Sequence, residues 1–331
     1  MKRPLATTPL LGATHQHQQI PSISMRTNHE SFRGRGSGGN LSIMLVLVID
    51  TATPYVTAGL VDVTSRDTIR ARFNRSVRDS RAHNEVLTPF IMECCDEVGV
   101  TPSDLDAVVV GVGPGPFTGL RVGMATAAAF GDALDIPVIG VCSLDGLAWN
   151  AIADAPQHEG ETIIVATDAR RREVYWATYR ISDGHPVRVT EPEVTRPTDV
   201  HVSGDADVPA QQPSFAVVSD SVADALLASV TSVNQSVDAQ PDIVNFVRAA
   251  LDHPMNLDRA TNVDDSDDTE SDHDRNALFP RQSDLQPLRP LYLRRPDAVP
   301  PKAKPVSPAI SEEAITRARQ LREQMTADRD E

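Results

Sequence analysis

The chain has 331 residues, of which 40% are apolar, and a formal net charge of −15. Its longest purely apolar run, residues 44–49, is much shorter than the roughly 18 residues of a membrane span, which excludes an integral helical membrane protein. Three cysteines, two of them adjacent, exclude a disulfide framework, so we expect a cytoplasmic protein. The length of the chain predicts two domains of ordinary size.

The first 43 residues are polar, rich first in His and Gln and then in Gly and Arg. Such a composition buries too little apolar surface to fold, and it lacks the apolar block of a secretory signal. We therefore predict that residues 1–43 are a disordered leader, and that Met44 is an alternative start of the protein.

The next segment, residues 44–145, alternates strand and helix patterns and is predicted to form an N-terminal lobe. Strands are expected at 45–50, 56–63, 68–75, 107–112 and 137–141, and helices at 82–98, 120–134 and 143–152. On the first helix, apolar residues recur every three or four positions, which predicts one apolar face.

A second lobe is predicted over 146–295 because its opening repeats the first hairpin. Residues 45–50 and 163–168 are both β-rich and end at an Asp, and in each copy a second β-rich run resumes six residues later, at Val56 and Val174. A strand at 215–218 and helices at 220–230 and 241–251 follow. The last residues of this lobe are expected to pack back on the first.

Two regions near the C-terminus are predicted to lie outside the packed core. Seven acidic residues fall within the eleven positions 264–274, so a loop at about 254–285 is expected to be solvated and disordered. Residues 296–331 read as a Pro-rich linker and a charged tail with a short helix at 311–325. The rest of the chain is mildly acidic, which does not favour unaided binding of nucleic acid.

A glycine-rich loop at 111–121 lies between a buried strand and a helix start, where free backbone N–H groups can bind an anion. It lacks the Gly-Lys-Ser/Thr of a Walker loop, and a tight structural turn that lets helices pack is the alternative. Together with the Asp that ends the first strand, it gives a candidate nucleotide site. Its residues are Asp50, Thr51, Gly113, Gly115, Thr118, Gly119 and Arg121.

Other polar residues favour structural roles. His83 begins the first long helix, but the position one turn later is Leu87, so no pair of metal ligands is formed. Asp168 precedes three arginines and is expected to stabilise its turn through Asx hydrogen bonds, while Glu173 is expected to pair with one of those arginines. No catalytic residue and no metal site are predicted.

Four sequence blocks resemble the bacterial TsaB family, also called YeaZ. They are Ile-Asp-Thr-Ala-Thr at 49–53, His-Asn-Glu at 83–85 with Leu87 and Pro89, Gly-Pro-Gly-Pro-Phe-Thr-Gly-Leu-Arg-Val-Gly at 113–123, and Asp-Ala-Arg-Arg at 168–171 with Glu-Val-Tyr at 173–175. Residues 290–294, Pro-Leu-Tyr-Leu-Arg, are similar to the C-terminal signature of that family. The resemblance runs from about residue 44 to 295.

This resemblance implies a two-lobed α/β fold of the actin-like (RNase H-like) class, with mixed sheets flanked by helices. It also implies a role in forming N6-threonylcarbamoyladenosine in tRNAs that read codons beginning with A. In that system the paralogue TsaD performs the transfer and holds its metal through a His-x-x-x-His helix. Here the corresponding pair is His83 and Leu87, so the resemblance implies a non-catalytic activator of TsaD.

The resemblance further implies a heterodimer with TsaD or a homodimer, formed through the helices at about 82–98 and 118–134. TsaE joins that complex, and tRNA is met only through it. No tightly bound cofactor is expected, although ADP or ATP with Mg²⁺ can act in the complex. The expected interface residues are His83, Glu85, Leu87, Phe90, Ile91, Cys94, Gly123 and Ala127.

One departure from the family pattern weakens the nucleotide hypothesis. Pro116 stands where the family usually has Ser, which removes a hydroxyl and a backbone N–H from the loop. Two other functions stay open at this point. One is a metal-dependent transferase or peptidase of the same superfamily that acts on its own, and the other is a kinase of the sugar-kinase type.

Overall fold

The structure is a computed structural model that describes residues 43–78, 83–154, 159–202, 212–255, 278–294 and 317. The predicted leader, most of the acidic loop and nearly all of the tail lie outside the described residues. Among the described helices, none is long and apolar enough to cross a membrane.

The first sheet contains five strands in the spatial order β3-β2-β1-β4-β5. Strand β1 pairs antiparallel with β2 and parallel with β4. The elements are β1 (Met44–Asp50), β2 (Val56–Val63), β3 (Ile69–Val77), α1 (His83–Val98), β4 (Ala107–Gly111), α2 (Phe117–Leu134), β5 (Val138–Val141) and α3 (Ser143–Asp154). Helix α2 therefore begins three residues earlier than the sequence predicts.

The second sheet repeats this topology, with the order β11-β10-β6-β7-β8 and β9 paired to β7. Its elements are β6 (Thr162–Asp168), β7 (Val174–Ser182), β8 (His185–Arg188), β9 (Glu193–Thr195), β10 (Phe215–Val218), α4 (Asp220–Ser229), β11 (Gln235–Asp238) and α5 (Ile243–Asp252). In each sheet three antiparallel strands are followed by two parallel ones. The repeated hairpin thus belongs to a repeated sheet.

The two hairpins begin their second strands at equivalent positions, as the sequence predicts, but they pair in different registers. Asp50 lies opposite Thr57, whereas Asp168 lies opposite Val174. The second turn is one residue tighter, and it accommodates this with positive φ angles at Arg170, Arg171 and Arg172.

Side-chain alternation along β1 explains how the first sheet is covered on both faces. Leu47 and Ile49 face a core shared with α1 and α2, while Val46 and Val48 face a core that includes Phe246 of α5. In the second sheet, one face packs against α3 and the other against α4. Each sheet is thus buried between helices, as strands with two apolar faces require.

Helices α3 and α5 form the layer between the two sheets. Helix α5 packs on the first sheet and α3 on the second, and the two helices contact each other. The predicted lobe boundary at 145/146 falls inside α3. A Cβ at Gly146 would lie 2.6 Å from the Phe246 ring, so this glycine allows the helices to approach closely.

A buried polar cluster attaches α3 to the second sheet. Tyr179 Oη donates to Asp145 Oδ1 at 2.8 Å, and Arg188 pairs with Asp145 at 3.2 Å. Burial raises the pKa of Asp145, and the Arg188 guanidinium opposes that rise. The two partners supply the compensation that a buried carboxylate needs.

We predict that Phe246→Ala will lower the free energy of unfolding by about 3 to 5 kcal/mol, because it empties a fully buried ring site between α3, α5 and the first sheet. Urea unfolding followed by circular dichroism measures this. Val189→Ala, at a side chain that is 40% exposed, is the control and should change the value by less than about 0.5 kcal/mol. Equal effects of the two variants would contradict this role of α5.

Candidate functional site

The carboxylate of Asp50 is enclosed by its own chain. Oδ2 accepts hydrogen bonds from Thr53 N at 3.2 Å and Thr53 Oγ1 at 2.8 Å, and Oδ1 accepts one from Ser143 Oγ at 2.8 Å. A Cβ at Gly111 would lie 2.0 Å from Oδ1, so only glycine fits beside it. Asp50 is 1% exposed, and burial raises its pKa.

The glycine-rich loop packs against the turn of the first hairpin. Thr51 Oγ1 donates to the carbonyl of Gly119 at 2.7 Å, and a Cβ at Gly123 would lie 2.3 Å from that hydroxyl. A Cβ at Gly115 would lie 2.2 Å from the carbonyl oxygen of Ala52. These contacts favour the structural alternative, in which glycines let α2 approach the turn.

Of the remaining residues of the predicted nucleotide site, Gly113 is part of the loop's own hydrogen bonding, whereas Thr118 and Arg121 are exposed. Gly113 has a φ of 102° and its carbonyl accepts from Ser143 N at 2.7 Å, so it serves the loop. Thr118 and Arg121 are exposed on the first turns of α2. The structure therefore brings Arg121 to the surface but does not bring it together with the buried Asp50.

A cleft of about 250 Å³ opens where the glycine-rich loop meets the turn of the second hairpin. The C-terminal segment 288–294 borders it: Leu291 N donates to Val112 O at 2.8 Å, and Arg294 Nη1 donates to Ala169 O at 2.9 Å. The cleft is lined by Gly115, Pro116, Phe117, Ala169, Arg170, Arg171, Tyr175, Tyr292, Leu293 and Arg294. The sequence predicted that these last residues pack back on the first lobe but not that they border a cleft, for which the family-like signature at 290–294 was the available signal.

The turn of the second hairpin matches the sequence expectation in one respect and differs in another. Asp168 Oδ1 accepts from Arg170 N at 2.7 Å, as in the expected Asx turn. Glu173 pairs with Arg294 of the C-terminal segment, a partner that the sequence did not predict. Arg294 is also held at this turn because its Nη1 donates to the Ala169 carbonyl.

The apolar face predicted for a partner is the protein's own core. Leu87, Ile91 and Cys94 are at most 1% exposed and pack with β1 and β2, and Gly123 and Ala127 are buried on the facing side of α2. Periodicity correctly located one apolar face on α1, but the first sheet covers it. These five residues are therefore not a surface that a partner can contact.

The opposite sides of α1 and α2 remain exposed. Glu85, Pro89 and Met92 are exposed on α1, Phe90 is half-buried, and Ala125, Ala128 and Ala129 are exposed on α2. Met92 is 42% exposed. We call the surface formed by Pro89, Phe90, Met92, Ala125, Ala128 and Ala129 the outer helix face. The side chain of His83 lies outside the described residues.

The cysteines lack the features of reactive thiols. Burial raises the pKa of Cys94 to about 11, and burial also raises the pKa values of Cys95 and Cys142. A thiol with a raised pKa is protonated and weakly nucleophilic at neutral pH. No group of three metal-ligating side chains is found within the described residues.

A first prediction compares two positions on α1. Leu87→Glu should lower the free energy of unfolding by more than about 3 kcal/mol, because it buries a carboxylate without a partner. Met92→Glu, on the exposed side of the same helix, should change it by less than about 0.5 kcal/mol. Thermal and urea unfolding measure both, and a Leu87→Glu protein as stable as the wild type would contradict the placement of this face.

A second prediction concerns pH. The pKa of Asp50 is raised above its usual 3.8, so the folded state binds more protons than the unfolded state above that pH. The contribution of Asp50 to the free energy of unfolding should therefore fall as pH rises from about 4. Asp50→Asn should reduce that fall, and Asp67→Asn, at an exposed position, should preserve it. Identical slopes for wild type and Asp50→Asn in urea unfolding would contradict the raised pKa of Asp50.

The chain is similar to a family model, to proteins of known sequence and to solved structures. The family model for TsaD, tRNA N6-adenosine threonylcarbamoyltransferase, matches residues 77–238. An uncharacterized protein of Mycobacterium tuberculosis is 41% identical over 260 residues, which are 78% of this chain and 96% of that protein. The tRNA threonylcarbamoyladenosine biosynthesis protein TsaB of Escherichia coli is 32% identical over 160 residues, covering 48% of this chain and 65% of its own length.

A solved structure agrees with these sequence matches. YeaZ from Pseudomonas aeruginosa superposes with a TM-score of 0.50 at 26% identity, over 62% of this chain and 90% of that chain. Together with the repeated sheet, this likeness confirms the predicted two-lobed, actin-like α/β fold. The chain belongs to the TsaB/YeaZ family.

Proposed function

We propose that this protein acts in tRNA threonylcarbamoyladenosine biosynthesis as a non-catalytic partner and activator of TsaD. The support for the pathway is membership in a family whose E. coli and Bacillus subtilis relatives carry that name. The observation that carries the non-catalytic role is Leu87. Its aliphatic side chain is 1% exposed and turned into the core, so this position cannot supply a metal ligand.

The alternative of an independent metal-dependent transferase or peptidase draws on the match to the TsaD family model over 77–238. That match includes α1, where the resemblance implies that TsaD carries two histidines four residues apart. In this chain the second position is Leu87, which is buried in the core against the first sheet. The partner role therefore explains the arrangement better than independent catalysis.

The outer helix face suits close contact with another helix pair. Small side chains at Ala125, Ala128 and Ala129 permit close approach, while Pro89 and Met92 add exposed apolar surface on the neighbouring helix. We propose that TsaD binds here, that a homodimer would use the same face, and that TsaE joins the TsaD complex. A homodimer and the TsaD heterodimer would then be mutually exclusive.

The residues predicted to hold a nucleotide do not fit a magnesium nucleotide in this chain. Both oxygens of Asp50 accept hydrogen bonds from neighbouring side chains, and Gly111 closes the space beside Oδ1. Pro116 contributes no backbone N–H to the loop. We therefore propose no reaction step through ADP or ATP at this site. We also propose that the protein acts in the cytoplasm, where TsaD would meet its tRNA.

We predict that Met92→Glu combined with Ala128→Arg will reduce co-purification with TsaD at least about tenfold, because it places charge and bulk in a closely packed contact. Val187→Glu, at an exposed residue on the edge of the second sheet, is the matched control and should retain TsaD. Pull-down with purified TsaD measures binding. If the double variant captures TsaD as well as the wild type does, the interface lies elsewhere.

The catalytic claim is tested separately by reconstitution. The purified chain alone should give no threonylcarbamoyl transfer to tRNA, and adding TsaD, TsaE and the threonylcarbamoyl-AMP synthase should produce it. The double variant should lose activity in this mixture in parallel with its loss of TsaD binding. Transfer by the chain alone would overturn the partner role.

A further inference from the structure

A groove lies beside α2, between this helix and the C-terminal segment that precedes residue 289. It has a volume of about 440 Å³, and Met124, Ala125 and Ala128 of α2 face Leu285 and Leu288 across it. Ala125 and Ala128 also belong to the outer helix face, so the groove extends that face toward the C-terminal segment. We call this feature the α2 groove.

The α2 groove is apolar along most of its length and carries one negative charge. Asp132, which is exposed on α2, is the only charged side chain among the described residues that line it. The nearest cations in the sequence of the C-terminal segment, Arg281 and Arg289, are not part of the lining. Such a surface favours an apolar ligand that has a positive charge at its flank.

The chain leaves the described structure near the start of the same helix. Arg294 is bound at the turn of the second hairpin, and the Tyr292 ring stacks on Phe117, the first residue of α2, at a centroid distance of 5.2 Å. Ala128 lies farther along α2 by about 16 Å, at 1.5 Å per residue. The residues after 294 therefore begin close to the α2 groove.

The sequence after residue 294 contains a segment whose pattern matches this groove. A helix is predicted at 311–325, and Arg317 within it is helical and exposed. Apolar residues recur there at three- and four-residue spacing, so they would form one stripe along a helix. They are Ala314, Ala318, Leu321 and Met325. Arg317 and Arg322 would border the stripe, and no acidic residue lies between them in the sequence.

The connection to this segment is long enough to reach the groove. Residues 295–310 include five prolines, at positions 296, 300, 301, 305 and 308. An extended Pro-rich stretch of this length spans up to about 50 Å, which is about three times the distance along α2 that it has to cover. A tether of this kind gives an effective concentration of up to about the millimolar range, so weak docking contacts suffice.

From these features we propose that the helix predicted at 311–325 docks in the α2 groove of its own chain. Leu321 and Met325 would fill the apolar groove, and one of the flanking arginines would lie beside Asp132, as amphipathic helices bind in grooves. The small side chain of Ala318 would let the helix approach α2 closely. The docked helix would cover Ala125 and Ala128, and it would compete with TsaD there; only this competition rests on the proposed function.

Disulfide trapping in the full chain, without TsaD, tests this proposal. Ala128→Cys combined with Ala318→Cys should form a disulfide within one molecule under mild oxidation. The native cysteines are buried and have raised pKa values, so they react slowly. Val187→Cys with Ala318→Cys places the first thiol at an exposed site on the second sheet and is the matched control. The first pair should close at least about tenfold faster than the control, because docking raises the effective concentration of the two thiols. Mass spectrometry of the alkylated protein measures both rates.

A change in the apolar stripe separates docking from chance collision. Leu321→Glu, added to the Ala128→Cys and Ala318→Cys pair, should slow closure to the rate of the control pair because it places a carboxylate against the apolar lining. Gln320→Glu adds the same charge on another side of the predicted helix and should keep the fast rate. Leu321→Glu alone should also raise capture of TsaD by about threefold or more, because it frees the outer helix face.

Equal rates for the two cysteine pairs, or fast closure that survives Leu321→Glu, would overturn docking in the α2 groove. Disulfides between two molecules in place of one would overturn it as well and would assign the groove to a second copy of the chain. Unchanged capture of TsaD by Leu321→Glu would overturn the competition. Because trapping needs no TsaD, its failure leaves the pull-down of the Met92→Glu and Ala128→Arg double variant and the reconstitution results unaffected.

Discussion

The hydrogen bond between Ser143 and Asp50 fixes the relation between the first strand and the helix that follows the first sheet. A buried carboxylate is costly unless its lone pairs are used, and here Ser143 and Thr53 both donate to it. Because Ser143 is also the first residue of α3, the same contact sets where α3 enters the layer between the sheets. The hairpin turn, the glycine-rich loop and the middle helices are all positioned around this group.

Much of this arrangement is visible in the sequence, because it depends on local patterns. The β-rich runs ending at Asp50 and Asp168 predict the repeated hairpin, and the periodicity on α1 predicts a single apolar face. The short strands β8, β9 and β11 have three or four residues each and too few positions to show alternation. The register difference between the hairpins likewise depends on the left-handed turn at 170–172, which composition does not reveal.

The candidate site was harder to predict than the fold because its residues come from distant parts of the chain. Periodicity shows that Leu87 and Ile91 share a face, but it does not show whether that face meets the protein's own sheet or a partner. The glycines at 111, 115 and 123 suit both an anion site and close packing, and only the distances to Asp50, Ala52 and Thr51 separate the two. Similarly, Tyr292 lies 175 positions from Phe117 in the sequence, yet their rings stack.

The crossing of α3 and α5 has a consequence for motion between the lobes. Each helix packs on a different sheet, and the Phe246 ring lies against Gly146 where they meet. Opening the lobes as a hinge would pull this ring out of its site, while Ser143 would have to part from Asp50 at the same time. Domain closure around a ligand, which many two-lobed enzymes use, would therefore have to disrupt the packing of the layer that joins the lobes. The contacts between α3 and α5 therefore favour one fixed arrangement of the two sheets.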